Sequence, residues 1–235
     1  MLESFLPGGL ALVVGASGGI GQALLAQLQT QACFERVVGL GRGSAPSLDL
    51  CDEATVAAAA GHMAGLGMPL RLLVNATGFL HGDGVQPEKA LRQLTAEHMA
   101  LSFAVNAIGP ALLMKHFLPL LAHEGKAVFA TLSAKVGSIG DNHLGGWYSY
   151  RASKSALNQL VKTAAIEFRR SHPEAICVAL HPGTVSTALS KPFAKSGLAV
   201  QTPEAAAARL LATIDQMGVT STGGFFDASG QALPW

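Results

Sequence analysis

"LALVVGASGGIGQALLAQLQ", residues 10–29, is the stretch on which the fold turns. LALVVGA (10–16) is a short continuous apolar run, the pattern of a strand buried on both faces. GIGQALLAQLQTQA follows with helical periodicity. Between them Gly15, Gly19 and Gly21 crowd a strand-to-helix turn. Glycines there permit the tight turn, let a pyrophosphate approach the backbone, and allow close helix–strand packing. The helix N-terminus then offers free N–H groups and a positive dipole to phosphates. The spacing is GxxxGxG rather than GxGxxG, and its place between strand and helix favours a dinucleotide site. Gly15-Ala16-Ser17-Gly18-Gly19 also spells GxSxG, the nucleophile elbow of serine hydrolases. That elbow follows several earlier strands, whereas this is the first strand of the chain, so the hydrolase reading is set aside.

Outward from this turn the pattern repeats. RVVGLGR (36–42), LRLLVNATG (70–78), KAVFATLS (126–133), AICVALHPG (175–183) and GGFFDA (223–228) read as further strands. Helical stretches separate them: EATVAAAAGHMA, a long one through 102–121, another over 148–170, and one over 203–217. Apolar strands alternating with helices imply a parallel sheet covered on both faces, a doubly wound α/β fold. Such sheets bind ligands outside the carboxyl ends of their strands. The 235 residues fit a single domain, 1–235, with no repeat or low-complexity linker.

Composition narrows the class. Hydrophobic residues make up 49% and charged ones 13%, enough for a large core and against disorder. The formal charge is +1 and Arg169-Arg170 is the only adjacent basic pair, so no nucleic-acid partner is expected. Cys33, Cys51 and Cys177 are scattered and read as reduced thiols. His81, His143 and His181 lack metal-ligand spacing, and no metal site is expected. The N-terminus lacks the basic and apolar regions of a signal peptide, and no uninterrupted apolar stretch suits a membrane span. A soluble, cytoplasmic protein is the expectation.

Two positions carry chemistry on spacing alone. About 20 residues past the glycines, where an acid would bind the ribose 2′-hydroxyl of NAD, stand Gly41 and Arg42. A guanidinium suits a 2′-phosphate, so NADP is favoured, with NAD as the other possibility. The chain's two tyrosines, Tyr148 and Tyr150, open the 148–170 helix. A phenol near pKa 10 needs a neighbouring cation to work as an acid/base. Residues four apart share a helix face, and Lys154 lies four beyond Tyr150, whereas Ala152 lies four beyond Tyr148.

GASGGIG, VNATG (74–78), VNAIGP (105–110), YRASK (150–154) and HPGTVST (181–187) follow one another in an order that resembles the short-chain dehydrogenase/reductase family. The resemblance covers nearly the whole chain. GSIGDNHLGGWYSYRASKSALN and GGFFDASGQALPW look closest to its C-factor and sniffer-type carbonyl reductase branch. It implies a Rossmann-type sheet of seven strands and hydride transfer between a nicotinamide cofactor and a carbonyl or alcohol substrate. Tyr150 would be the acid/base, Lys154 would hold the nicotinamide ribose and lower the phenol pKa, and Asn106 would hold a relay water. Gly15, Ser17, Gly19, Ile20, Gly21, Asp49, Leu50, Asn75, Ala76, Pro182, Gly183, Val185 and Thr187 would line the cofactor. Pairing through the 102–121 and 148–170 helices would make a homodimer or homotetramer.

One position departs from the family. Its carbonyl-polarising serine stands three residues before a glycine, and counting back from Gly137 gives Ala134, with Ser133 one place early. Neighbouring strand residues face opposite ways, so Ser133 substitutes only if the strand has already ended. Ser133 is the expected donor and Ser138 the alternative. The segment 188–200 is the expected lid over the substrate. A different class of reading, a signalling or sensor protein that binds the dinucleotide and turns over poorly, draws on the displaced serine.

Overall fold

Each apolar run of the sequence becomes a strand. In the computed structural model, which describes residues 2–82, 84–193 and 200–235, β1 (Leu10–Val14), β2 (Arg36–Leu40), β3 (Leu70–Asn75), β4 (Ala127–Leu132), β5 (Ala175–His181) and β6 (Phe225–Asp227) form one sheet. Its order is β2-β1-β3-β4-β5-β6 and every pairing is parallel. The described residues thus give six strands, those read from the apolar runs, and not the seven that the family resemblance implied. The chain leaves β1 toward β2 on one side and returns to β3 on the other. That reversal beside β1 creates the crevice in which doubly wound sheets bind ligands.

Helices cover both faces because the strand residues alternate between two cores. Leu10, Leu12 and Val14 join Val56, Phe117, Phe129, Leu157 and Val161 in one cluster. Ala11 and Val13 join Leu24, Leu28, Leu210 and Ile214 in the other. The first cluster lies under α2 (Glu53–Ala64), α4 (Gly109–Phe117) and α5 (Tyr148–Phe168), the second under α1 (Gly19–Leu28) and α6 (Pro203–Gln216). A strand buried on both sides has no polar face to alternate, which is why the runs are continuous.

The helix expected over 102–121 begins earlier. Thr95 accepts the His98 N–H and caps α3 (Ala96–Phe103), which runs through a π turn (Ala104–Ile108) into α4. Within the continuous helical segment Ala96–Leu120, an 18-residue stretch has a mean hydropathy of 1.3, and half of that stretch is buried inside the protein. Its apolar side chains Leu113, Met114 and Phe117 are spent on the core against the sheet and α5.

Candidate active site

The turn after β1 is built as the glycines require. Gly15 sits at φ +83°, where a Cβ would press within 2.9 Å of Thr77. A Cβ on Gly21 would fall 2.1 Å from the Gly15 carbonyl, so no other residue fits there. Gly18 caps α1 with no side chain, and the N–H groups of Gly19, Ile20 and Gly21 meet no acceptor among the described residues. Ser17 is exposed beside them. Bare amides at a helix N-terminus with glycine-level backbone access are a fit for a pyrophosphate.

Other expected cofactor positions border the same sheet edge. Thr187 comes so close that a Cβ on Gly19 would lie 3.0 Å from its methyl. Val185 is buried and pairs with Gln201, whose amide donates to the Pro182 carbonyl at 2.6 Å beside Gly183. Arg42, at the end of β2, is exposed and forms no ion pair among the described residues. Asp49 is half-buried and its carboxylate accepts the Cys51 N–H at 2.9 Å, while Leu50 is buried against Gly109. Asn75 is buried with its side chain engaged inside the protein, donating to Thr131 at 2.9 Å and accepting from the Thr77 hydroxyl at 2.7 Å. It ties the ends of β3 and β4 together, and the neighbouring Ala76 N–H donates to Val14.

The two tyrosines separate cleanly. Tyr148, the first residue of α5, is 36% exposed, whereas Tyr150 is 8% exposed. Tyr150 lies in a small apolar cluster with Leu80 and Ala134, walled by Val136, Trp147, Leu189 and Phe193. Lys154, one turn on, is buried. Its Nζ donates to the Leu132 carbonyl at 2.9 Å and stands 5.9 Å from the centre of the Tyr150 ring. Gly78 closes this corner: a Cβ there would lie 3.8 Å from Lys154 Nζ and 3.7 Å from Asn106 Oδ1. The end of β3, the π turn and the start of α5 therefore meet at one place.

The electrostatics differ from the expectation that Lys154 lowers the phenol pKa. In the protein alone, burial pushes Tyr150 up to about 12 and Lys154 down to about 7. Burial disfavours both charged forms, and among the described residues no carboxylate opposes it. The pair rests near neutrality.

Asn106, in the π turn, accepts the Phe79 N–H at 2.8 Å and donates to the Phe79 carbonyl at 2.8 Å and to Ser153 at 3.1 Å. Its side chain is an internal clamp. A π turn displaces one backbone carbonyl from its usual partner, a feature concentrated at functional sites.

Ser133 bonds within the protein. The backbone stays extended through Ala134 (φ −142°, ψ 141°), and the Ser133 N–H continues the ladder to Leu180. β4 ends at Leu132 but the backbone runs on extended, and Ser133 donates its proton to Asn158 Oδ1 at 2.7 Å. Ala134 packs in the Tyr150 cluster instead. Ser138 donates to the Trp235 carbonyl at 3.2 Å and accepts the Asp141 N–H. In the protein alone each of these hydroxyl protons is engaged internally, Ser133 on Asn158 and Ser138 on Trp235. Of the expected lid, residues 194–199 lie outside the described residues. Leu189 and Phe193 stand over Tyr150, and the His81 ring packs edge-on to Phe193.

A family model described as enoyl-(acyl carrier protein) reductase matches residues 21–221. The chain belongs to the short-chain dehydrogenase/reductase family, a family of oxidoreductases. It is 31% identical to a Rhodococcus 1-hydroxy-2-glutathionyl-2-methyl-3-butene dehydrogenase, over 95% of this chain and 98% of that one. It is 34% identical to the Myxococcus xanthus C-signal, over 62% of this chain and 84% of that one. Among solved structures, the NADPH-bound carbonyl reductase from chicken fatty liver superposes with a TM-score of 0.85 at 25% identity, covering 99% of this chain and 96% of that one. The D. melanogaster carbonyl reductase Sniffer superposes at 0.84 and 24% identity, covering 97% and 99%, a likeness of fold.

Sequence reasoning missed Glu88, His98, Ser149 and Asn158. All four are buried and polar, yet each has its partner on another element, so no local spacing marks them.

Proposed function

We propose that the protein is an NADP(H)-dependent carbonyl reductase, or the matching alcohol dehydrogenase, with Tyr150 as its acid/base. One observation carries the reading: Tyr150 and Lys154 are buried together at the carboxyl edge of the sheet, one turn apart, beside Gly78 and Asn106. NADP(H), when bound, supplies or accepts the hydride. The amides of Gly19, Ile20 and Gly21 hold its pyrophosphate, and Arg42 meets the 2′-phosphate that Gly41 leaves room for. Lys154 would hold the ribose nearest the reacting carbon, and negative charge bound there would favour its ammonium form. A charged Lys154 then lowers the cost of the Tyr150 phenolate. Tyr150 Oη gives its proton to the carbonyl oxygen in reduction and takes it back in oxidation. The proton is replaced through the lysine and a water on the main chain at the Asn106 π turn. Two copies pair through the π turn with α4 and through α5, where Ile108 of the turn and Ile166 of α5 are exposed.

The NADPH-bound carbonyl reductase neighbour supports the cofactor reading. The Rhodococcus relative, named for a glutathionyl alcohol, puts thioether-substituted alcohols among the candidate substrates. A second reading, a dinucleotide-binding signalling protein of low turnover, draws support from one feature: Ala134, not a serine, packs in the Tyr150 cluster, and among the described residues no hydroxyl bonds the Tyr150 side chain. The test is NADPH oxidation against aldehydes, ketones, diketones and glutathione conjugates, beside NADPH and NADH binding. Turnover of any carbonyl in the panel supports the enzyme. Tight NADPH binding with no turnover supports the signalling reading.

A further inference from the structure

Helix α5 is entered through a strained turn. Gly145, Gly146 and Trp147 lie in succession at φ 63°, 67° and 52°, all left-handed. Two glycines take this at no steric cost, but a tryptophan pays about 1–2 kcal/mol for it. Trp147 also gives its helix no side-chain cap. The first N–H groups of the helix that carries Tyr150 and Lys154 therefore need an acceptor from elsewhere.

Glu88 supplies it. Its main-chain carbonyl accepts the Trp147 N–H, and its carboxylate accepts the Ser149 N–H at 3.2 Å and the Ser149 hydroxyl. His98 Nδ1 lies 3.1 Å from the same carboxylate. Glu88 is 2% exposed, and a carboxylate so buried is retained only where its bonds are complete. Burial pushes its pKa up, but the Ser149 hydroxyl and amide and the nearby His98 outweigh this and hold it below the usual carboxylate range.

The two residues it grips are those that set the tyrosine. Ser149 precedes Tyr150, and the Trp147 ring stands edge-on to the Tyr150 ring at 6.2 Å and to Phe193 at 5.3 Å. On its other side, His98 packs edge-on to Phe79, whose main chain clamps Asn106. Glu88 thus spans from the mount of Tyr150 to the α3 segment that leads into the π turn.

We propose that Glu88, through Ser149 and Trp147, is the positioning residue that fixes Tyr150 in its working place. The proposal rests on Tyr150 being the acid/base, and its test separates the two. Amide hydrogen exchange on Glu88→Ala needs no substrate. Exchange at Ser149, whose amide bonds the carboxylate, should speed up by about tenfold to a hundredfold, the loss expected for a charge-assisted bond, while Val161 in mid-helix is unchanged. In turnover, kcat should fall by about tenfold to a hundredfold, as for a small misplacement of a reacting group, with NADPH affinity unchanged. Glu88→Gln, which keeps an oxygen for the Ser149 amide, should recover most of it. Leu210→Ala, a core variant on the opposite face of the sheet, controls for stability loss and should keep the kcat of its folded fraction.

Unchanged exchange at Ser149, or a Glu88→Ala kcat no lower than that of the Leu210→Ala control, overturns the proposal. A Tyr150→Phe variant that still turns over instead overturns the acid/base assignment, and the exchange result then judges the Glu88 contact by itself. Should Glu88→Ala fail to fold, Ser149→Ala carries the test. A drop of about threefold to tenfold in kcat at unchanged NADPH affinity supports the proposal, and no drop overturns it.

Discussion

A buried lysine with no acid beside it among the described residues should make this protein more stable in mild alkali, and Lys154→Met isolates the effect. Burial brings Lys154 to about 7 from its ordinary 10.5. Between those values the unfolded chain holds a proton on this lysine that the native protein lacks. The unfolded state binds more protons, so stability rises with pH across the window. Below about pH 7 both states are charged, and the full cost of the buried ammonium is felt. At about 1.4 kcal/mol per pH unit, Lys154 contributes about 3 kcal/mol of added stability between pH 7.5 and 9.5. Methionine has similar length and no charge, so the variant loses this dependence and keeps the packing under Tyr150. Urea unfolding of both proteins without NADP(H), at fixed ionic strength, reads the difference as midpoints with a shared slope. The variant's advantage should be largest near pH 7 and shrink as pH rises. A stability gap that is flat across the window would refute the reasoning, because Lys154 would then be charged and solvated in the native protein.

Arg42→Ala should lower NADPH affinity by on the order of 1.5–3 kcal/mol and leave NADH affinity unchanged; equal affinities in the unmutated protein would return Arg42 to the surface. Ser133→Ala should leave kcat unchanged while costing about 1–3 kcal/mol of stability, because Asn158 loses its buried partner. A fall of about 10²–10³ in rate at unchanged stability would show that Ser133 reaches the substrate after all. Ala134→Ser places a hydroxyl in the Tyr150 cluster and should raise kcat by about tenfold or more, measured on whichever carbonyl the screen identifies.

What was legible in the sequence was what local chemistry determines. The glycines of the first turn, the apolar runs and the four-residue step from Tyr150 to Lys154 each have a local signature, and the structure places them as read. Tyr150 is buried and Tyr148 is not, as that step requires. The start of α3 was missed because Thr95 caps it well ahead of the most apolar stretch. The π turn at Ala104–Ile108 has no composition of its own. The partner of Ser133 was not legible because its direction depends on where β4 stops, and beyond Leu132 the backbone stays extended with the Ser133 N–H still bonded to Leu180. Glu88 was invisible for a different reason: its partners Ser149 and His98 come from two other elements, and only the folded chain brings them together.

The central claim is that Tyr150, and not Tyr148, transfers the proton. Its most direct test is single-turnover reduction by Tyr150→Phe and Tyr148→Phe, each with NADPH bound, on a carbonyl that the unmutated protein reduces. Losing the acid/base typically costs about 10²–10⁴ in rate. Tyr150→Phe should lose that much with NADPH affinity unchanged, and Tyr148→Phe, altered at a partly exposed ring, should stay close to the unmutated rate. A dead Tyr148→Phe beside an active Tyr150→Phe would contradict the account.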